Sequence, residues 1–387
     1  MWTELVDSRP KLKTTAGMHI KDWSFPRTAD KAQQHDMNFT AVMYALASAA
    51  LFGVSTPFAK ILLGSIHPGI LAGLLYCGAG IGSALLRWGR RNVLSSNNAQ
   101  EAALTRSELP WLAGAVIAGG VVGPILLLMG LSRTDASTAS LLLTLEGAAT
   151  ALMAWFIFHE SFDRRIAVGM LCLTAGAAVL SWSGSPTLES VIGPLAVIGA
   201  CIAWGIDNNL TRKVSLSDPL QIVAIKGLIA GPINLLLGFA AGGTLPDVAS
   251  GAVAAFIGFL CYGVSLALFV LALRHLGTAR TAAYFSTAPF FGTVVAIIIL
   301  HEAVTVQLIV AGAFMALGVW LHVTERHEHE HVHDPQTHSH PHVHDETHRH
   351  SHTPDDPTGE PHTHRHTHEP LKHSHPHVPD MHHQHRH

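Results

Sequence analysis

The chain has 387 residues, of which 48% are hydrophobic and 13% charged, with a formal net charge of −3. Soluble domains carry about 25% charged residues, so this composition excludes an ordinary soluble globular enzyme; the net charge itself says little, since the placement of charge among the loops carries the information, and no nucleic-acid partner is expected. The polar residues gather at the two ends, 1–39 and 323–387, and almost everything between them is apolar.

The first 39 residues hold six basic side chains, Arg9, Lys11, Lys13, Lys21, Arg27 and Lys31, and no apolar core of seven or more. They read as a disordered, solvated cytoplasmic leader and not as a cleaved secretory signal. Ten apolar runs follow: Thr40–Leu63, Pro68–Trp88, Leu109–Leu131, Ala136–Phe158, Ile166–Trp182, Ile192–Leu210, Pro219–Gly242, Ala249–Leu273, Ala279–Leu300 and Val304–His322. A helix rising about 1.5 Å per residue needs about 20 residues to cross a 30 Å hydrocarbon core. The runs are long and uninterrupted, where a lipid-facing strand would alternate, so the expected fold class is an all-α membrane protein with ten transmembrane helices.

Lys and Arg alternate between connections. The leader and the loops with Arg87, Arg90, Arg91 and Arg106, with Arg164 and Arg165, with Arg212 and Lys213, and with Arg274 and Arg280 are basic. The loops between them are bare, apart from Arg133. The positive-inside rule then places both termini in the cytoplasm of a multi-pass protein of the plasma (inner) membrane. The four cysteines, Cys77, Cys172, Cys201 and Cys261, fall inside apolar runs and read as small buried hydrophobes.

The chain repeats. The fourth run ends in His159-Glu160 and the ninth in His301-Glu302, 142 positions later (301 minus 159), and Gly176 and Gly318 keep that offset. Phe52-Gly53 precedes Lys60 by the interval at which Trp204-Gly205 precedes Arg212. The domains expected are a leader (1–39), a first five-helix repeat (40–183), a second (192–322) and a tail (323–387). With five spans per repeat, the second must insert with opposite polarity, the inverted-repeat plan of secondary transporters.

On the aromatic-Gly pairs, the basic residue closing the first span of each half, Glu160 and Glu302 closing each fourth span, and the short fifth spans, the sequence resembles the drug/metabolite transporter superfamily with two EamA-type repeats. The resemblance implies a ten-helix exporter whose central cavity is lined mainly by the first, third and fourth helices of each half. Glu146 departs from the family pattern, where that position is usually uncharged, as its counterpart Ala288 is here.

Glu146 is the one charge within its run. A carboxylate at mid-bilayer costs several kcal/mol unless paired, hydrated or protonated, and so marks a functional site able to take up and release a proton; the plainer reading is a neutral side chain bonded to a neighbouring helix. Asp207, Asn208 and Asn209 are consecutive on one span and Lys226 lies on the next. Asp207 and Lys226 read equally as a structural ion pair or as part of a gate or cation path. Lys60 and Arg212 are long enough to snorkel. Pro57, Pro124, Pro232 and Pro289 interrupt spans, and Trp204, Tyr262 and Tyr284 are candidate cavity aromatics. Gly78, Gly80 and Gly82 suit close helix packing more than a nucleotide loop. The residues show no hydrolase triad, Walker loop or cofactor motif, so no enzyme and no required cofactor is expected.

The tail holds 22 of the 29 histidines, mostly as His-x-His: His327, His329, His331 and His333; His338, His340, His342 and His344; His362, His364, His366 and His368. It cannot bury a core and is expected to be disordered. Imidazole clusters suit Ni, Co, Zn or Cu. The leading expectation is efflux of a divalent metal ion (nickel or cobalt, or zinc) by proton antiport, with the tail capturing the ion. The alternatives are export of a small organic metabolite or amino acid with a regulatory tail, and a non-transporting metal sensor or buffer. The partners implied are the bilayer and a metal-ion or small-molecule substrate, with a homodimer left open.

Overall fold

The computed structural model describes residues 28–93, 103–158, 164–182, 188–214, 217–276, 281 and 284–323, together with the backbone of four tail stretches, 327–332, 337–342, 362–367 and 372–377. Among the described residues six helices are long and apolar enough to cross a membrane: Phe39–Leu62, Pro68–Asn92, Leu109–Leu131, Val191–Arg212, Pro219–Ala240 and Val248–Ala272. That is fewer than the ten drawn from the sequence. Three further apolar helices are shorter, Ala167–Ser181, Ala288–Leu300 and Val306–Leu321. The run read as one fourth span is two helices, Ala136–Leu142 and Leu145–Phe158, with a turn at Leu143-Thr144.

In chain order the elements are α1 (Thr28–Leu62), α2 (Pro68–Val93), α3 (Leu109–Ala115), α4 (Gly123–Leu131), α5 (Ala136–Leu142), α6 (Leu145–Phe158), α7 (Arg164–Ser181), α8 (Leu188–Arg212), α9 (Pro219–Ala240), α10 (Val248–Ile257), α11 (Ser265–Leu276), α12 (Ala288–Leu300) and α13 (Val306–Val323). A π-helical stretch, Val116–Val122, joins α3 to α4, and another, Gly258–Val264, joins α10 to α11. Pro289 marks a start and not an interruption, in the first turn of α12, where the missing N–H has no intrahelical partner in any case, whereas Pro124 lies within the continuous span Leu109–Leu131. Pro57 and Pro232 lie inside α1 and α9.

The halves meet along α2 and α9, the second helix of each. Gly69 lies against Gly238, Gly80 against Gly227, and Arg87 against Asp218 and Gln221, so the two helices run antiparallel. Equivalent helices packed in opposite directions are the signature of halves inserted with opposite polarity. Glycine permits the approach: a Cβ on Gly80 or Gly227 would run into the other helix's backbone. Large apolar side chains such as Leu85, Trp88, Leu171, Leu236 and Ile298 point outward and stay exposed, which hydrocarbon rewards and water would not.

Polar contacts fasten both ends of the bundle. At the arginine-rich end Arg87 Nε and Arg90 Nη2 reach Asp218 Oδ2 at 2.9 and 2.8 Å, and Ser217 Oγ donates to Glu108 Oε1 at 3.2 Å. At the opposite end Glu302 accepts the N–H groups of Ala136 and Ser137, both at 2.8 Å, tying the two halves together. Lys60 does not simply snorkel. Its Nζ donates to the carbonyls of Leu131 and Thr134 at 2.7 and 2.8 Å, satisfying acceptors that α4 leaves open where it ends.

The tail, expected to lack regular structure, carries two antiparallel ribbons in its described backbone. His327–Val332 pairs with Lys372–His377, and Thr337–His342 with His362–Thr367. His-x-His alternation has the period of two that an extended strand shares.

Replacing Gly227 by Leu should overpack the α2–α9 contact and cost at least about 1–3 kcal/mol. Thermal unfolding of the detergent-solubilised protein checks it: Gly227→Leu lowers the midpoint by several degrees, whereas Leu228→Ala, next to it on the exposed face, leaves it nearly unchanged.

Candidate functional site

The break at Leu143-Thr144 places Glu146 in the first turn of α6, where the half-helix presents its positive end to a carboxylate. The turn is internally satisfied, with Thr144 Oγ1 donating to Leu141 O at 2.8 Å. Asn208 Nδ2 donates to Glu146 Oε1 at 2.9 Å and to Thr150 Oγ1 at 3.3 Å, and Thr150 Oγ1 donates to Glu146 O at 2.8 Å. Among the described residues Glu146 has this amide donor and no ion pair.

Successive helical residues point about 100° apart, and α8 uses that to spread its three polar side chains. Asn208 turns to Glu146. Asn209 Nδ2 donates to the carbonyls of Gly205 and Thr150 at 2.8 and 3.1 Å, filling acceptors within its own interface. Asp207 turns to α9, where Lys226 Nζ meets Oδ1 and Oδ2 at 2.6 and 2.7 Å, and Thr211 Oγ1 adds a donor at 2.8 Å. Both charges are buried, at 8% exposure for Asp207 and 4% for Lys226. The geometry makes this a closed ion pair.

A cavity between the halves brings these groups together. Glu146, Asp207, Asn208 and Lys226 line it, as do Trp204 and Tyr262. Tyr284 does not; its neighbour Phe285 does, just before the helix breaks at Ser286-Thr287. Tyr284 instead lends its carbonyl to Thr287 Oγ1 at 2.6 Å. Sequence reasoning also missed Tyr76, Phe269 and Phe285, and knew Phe52 only as a repeat marker. The second helices contribute Tyr76, Ala79, Val223 and Lys226, although the first, third and fourth helices were the expected lining.

The aromatic rings form one connected wall. Phe52 stands edge-on to Trp204 and Tyr262, each with centroids 5.8 Å away, and lies 5.3 Å from Phe285. Tyr76 is 5.7 Å from Tyr262, and Phe269 is 4.9 Å from Phe285. The Tyr76 hydroxyl and the Trp204 indole N–H both donate to Gly119 O, at 2.6 and 3.0 Å. Their polar atoms are thereby spent on the scaffold and the π faces are left for a ligand. The site thus offers one carboxylate outside any ion pair, one neutralised charge pair and an aromatic wall. Among the described residues no three His, Cys, Asp or Glu side chains come together as a metal site. The side chains of the tail histidines named above as candidate ligands, and of Glu160, lie outside the described residues.

The model of the EamA-like transporter family matches the chain twice, over residues 39–182 and 191–324. An uncharacterized transporter from Methanothermobacter thermautotrophicus is 28% identical over 287 residues, 71% of this chain and 84% of that protein. The uncharacterized transporter YvbV of Bacillus subtilis is 25% identical over 47% of this chain and 61% of its own length. A probable 4-amino-4-deoxy-L-arabinose-phosphoundecaprenol flippase subunit, ArnE of Pseudomonas paraeruginosa, is 38% identical over 79 residues, 20% of this chain and 66% of its own. A solved crystal structure with 17% identity superposes with a TM-score of 0.54 over 73% of this chain and 96% of that one, a likeness of fold.

Removing one member of a buried pair strands the other charge and costs about 3–5 kcal/mol, whereas replacing both with neutral groups of similar size is close to neutral. Lys226→Met should therefore unfold at a clearly lower temperature in detergent than the combination of Lys226→Met with Asp207→Asn. Equal losses in the single and double variants would show that the pair contributes no such coupling.

Proposed function

The chain belongs to the EamA-like transporter family, a family of membrane transporters that need no resident cofactor, and from that premise we propose that it is a proton-coupled exporter of a small organic solute carrying a protonated amine. The observation that carries this reading is the placement of Glu146, a carboxylate free of ion pairs, beside a wall of Phe52, Tyr76, Trp204, Tyr262 and Phe285. Aromatic faces attract a desolvated cation by about 2 kcal/mol or more, and a carboxylate supplies the opposite charge. A pocket that is mostly apolar with a few convergent polar groups suits an organic ligand.

One carboxylate serves two cations in turn. With Glu146 ionised, the cavity carries net negative charge, since Asp207 and Lys226 cancel, and it holds the substrate cation. Protonation of Glu146 removes that charge and releases the substrate. Proton and substrate exclude each other at one group, which is the requirement for antiport. Asn208 orients the carboxylate in its ionised form by donating to Oε1. With the arginine-rich end in the cytoplasm, as the basic loops suggest, Glu302 and Lys60 fasten the outer end.

The second reading, export of Ni²⁺, Co²⁺ or Zn²⁺ in exchange for protons, rests on the histidine tail. It draws on Glu146 as a hard ligand within the membrane and on the tail for capture.

Reconstitution into liposomes with an imposed pH gradient tests both. Tetraphenylphosphonium and a primary alkylamine, supplied separately from Ni²⁺, should be driven against the proton gradient, and Glu146→Gln should lose coupled flux by about 100-fold or more, as expected when the group that carries the proton is removed. Deleting residues 326–387 should leave organic-cation flux intact. If instead only Ni²⁺ moves, and moves only with the tail present, the metal reading replaces the organic one. Metal binding with no flux of any solute would identify a sensor.

A further inference from the structure

The third helix of each half is not a continuous α-helix. Val116–Val122 and Gly258–Val264 are both π-helical, and they stand 142 residues apart (258 minus 116), the offset that relates the His-Glu pairs. A π-turn takes one extra residue per turn, is rare, and is found mostly at functional sites. Two of the same length at equivalent positions of two diverged repeats are not accidents of local packing.

Pro124 has no N–H to give to the carbonyls five and four residues before it, Gly119 O and Gly120 O, and in hydrocarbon these must find donors elsewhere in the protein. In the first stretch, Gly119 O takes Tyr76 Oη from α2 and Trp204 Nε1 from α8, and Gly120 O takes Asn234 Nδ2 from α9 at 2.8 Å. Three helices thus hold one turn. Gly119 has a second contact. The Asp207 carboxylate packs directly on its Cα, in the space a Cβ would fill. A single glycine therefore touches the ion pair on one side and two of the cavity's rings on the other. The second stretch bears on the cavity itself: Cys261 and Tyr262 line it, and Gly258 and Gly263 sit against the backbone of α2 at Leu75 and Ala79. At its end, Ser265 and Ser48 exchange hydroxyl-to-carbonyl bonds at 2.7 and 2.9 Å, pinning the adjoining α11 to α1.

We propose that these two π-helical stretches are the joints at which the third helices bend as the transporter changes which end is open, and that Gly119 is the positioning residue that couples the first joint to the Asp207–Lys226 pair. The proposal rests on the exporter reading. A π-turn can move along a helix by exchanging one hydrogen-bond partner at a time, and each residue of movement rotates the segment passed by about 100°. Little breaks at any instant, yet the half-helix beyond the joint changes the face it presents. Protonation or loading of the cavity alters the field at Asp207, which leans on Gly119, and the turn that Tyr76 and Trp204 hold is the turn that must give. The flanking helices α4 and α10 carry no such break and move as rigid pieces.

Hydrogen exchange by mass spectrometry on the full chain in lipid nanodiscs tests this without reference to flux. At pH 5.5 and 8.0, and with saturating tetraphenylphosphonium, amides of 116–122 and 258–264 should exchange about tenfold faster than those of 123–131 and 248–257, as local openings of differing free energy do. Their rates should also shift with pH and ligand, while those of the flanking helices hold still. Tyr76→Phe, which keeps the ring and removes one donor to Gly119 O, should raise exchange in 116–122 and leave 258–264 unchanged. Gly119→Ala should lower the maximal transport rate at least about tenfold, with half-saturation for tetraphenylphosphonium changed less than about twofold. Uniform protection along both third helices, or a Tyr76→Phe profile identical to wild type, overturns the proposal even if the protein transports. A wild type with no flux that still shows the pH-dependent exchange pattern refutes the exporter reading and leaves the joints standing.

Discussion

Inside hydrocarbon a backbone carbonyl or N–H with no partner costs several kcal/mol, and no water is present to relieve it. The central region of this protein follows from that constraint. At three of the places where the chain departs from regular α-helix, side chains from other helices close the account: Tyr76, Trp204 and Asn234 at the π-turn of the first third helix, Lys60 at the end of α4, and Glu302 at the start of α5. The partners come from different helices each time, so satisfying the backbone also ties the bundle together. The cavity exists because the irregular backbone needs those donors, and the rings that deliver them become its walls.

Repetition explains which irregularities recur. Both third helices carry a π-turn and both fourth helices restart near mid-span, α6 at Leu145 and α12 at Ala288. The antiparallel contact of α2 with α9 fits two halves related by an inversion, and each broken element has a counterpart in the other half. Chemistry is where the halves part. The first restart brings Glu146 into its opening turn and the second brings Ala288 and Pro289. Two carboxylates facing each other in a dry pocket would repel, and one would be held neutral. With Ala288 in the second half and Asp207 paired to Lys226, Glu146 meets no such conflict.

Much of this was legible in the residues. The outlines of the apolar runs, the doubled His-Glu ending and the lone acid within a span sufficed for the repeat and for Glu146. Asp207 and Lys226, each within about two turns of a helix end, were recognisable as a pair because buried opposite charges on adjacent spans have few other options. What stayed hidden has a common cause. A helix that faces lipid on one side and protein on the other is apolar all round, so hydrophobic periodicity, which locates the inner face of a helix in water, carries little signal here. Tyr76, Phe269 and Phe285 look like any other aromatic in such a run. The π-turns leave no mark beyond a few glycines, Gly119 and Gly120 in one and Gly258 and Gly263 in the other, and glycine is common in membrane spans for packing alone. Tyr284 was misplaced for the same reason, since residue type alone does not separate it from its neighbour Phe285.

On the proposed reading, the charges of the cavity divide into the closed Asp207–Lys226 pair and Glu146 outside it, and that division would decide what the site discriminates. Lys226 is fully engaged by Asp207 and Thr211, so it offers no free positive charge to an anion. An anionic substrate would have to break that pair and would then leave Asp207 exposed to the same pocket, a penalty paid twice. A cation needs neither change, since it meets Glu146 directly and the π faces on the other side. Selectivity for sign therefore comes from how completely one pair is closed, and affinity from the acid that stays outside it. A zwitterion could satisfy Glu146 with its amine, but its carboxylate would need a donor the closed pair withholds, and Asn208, already donating to Glu146 and Thr150, is committed as well.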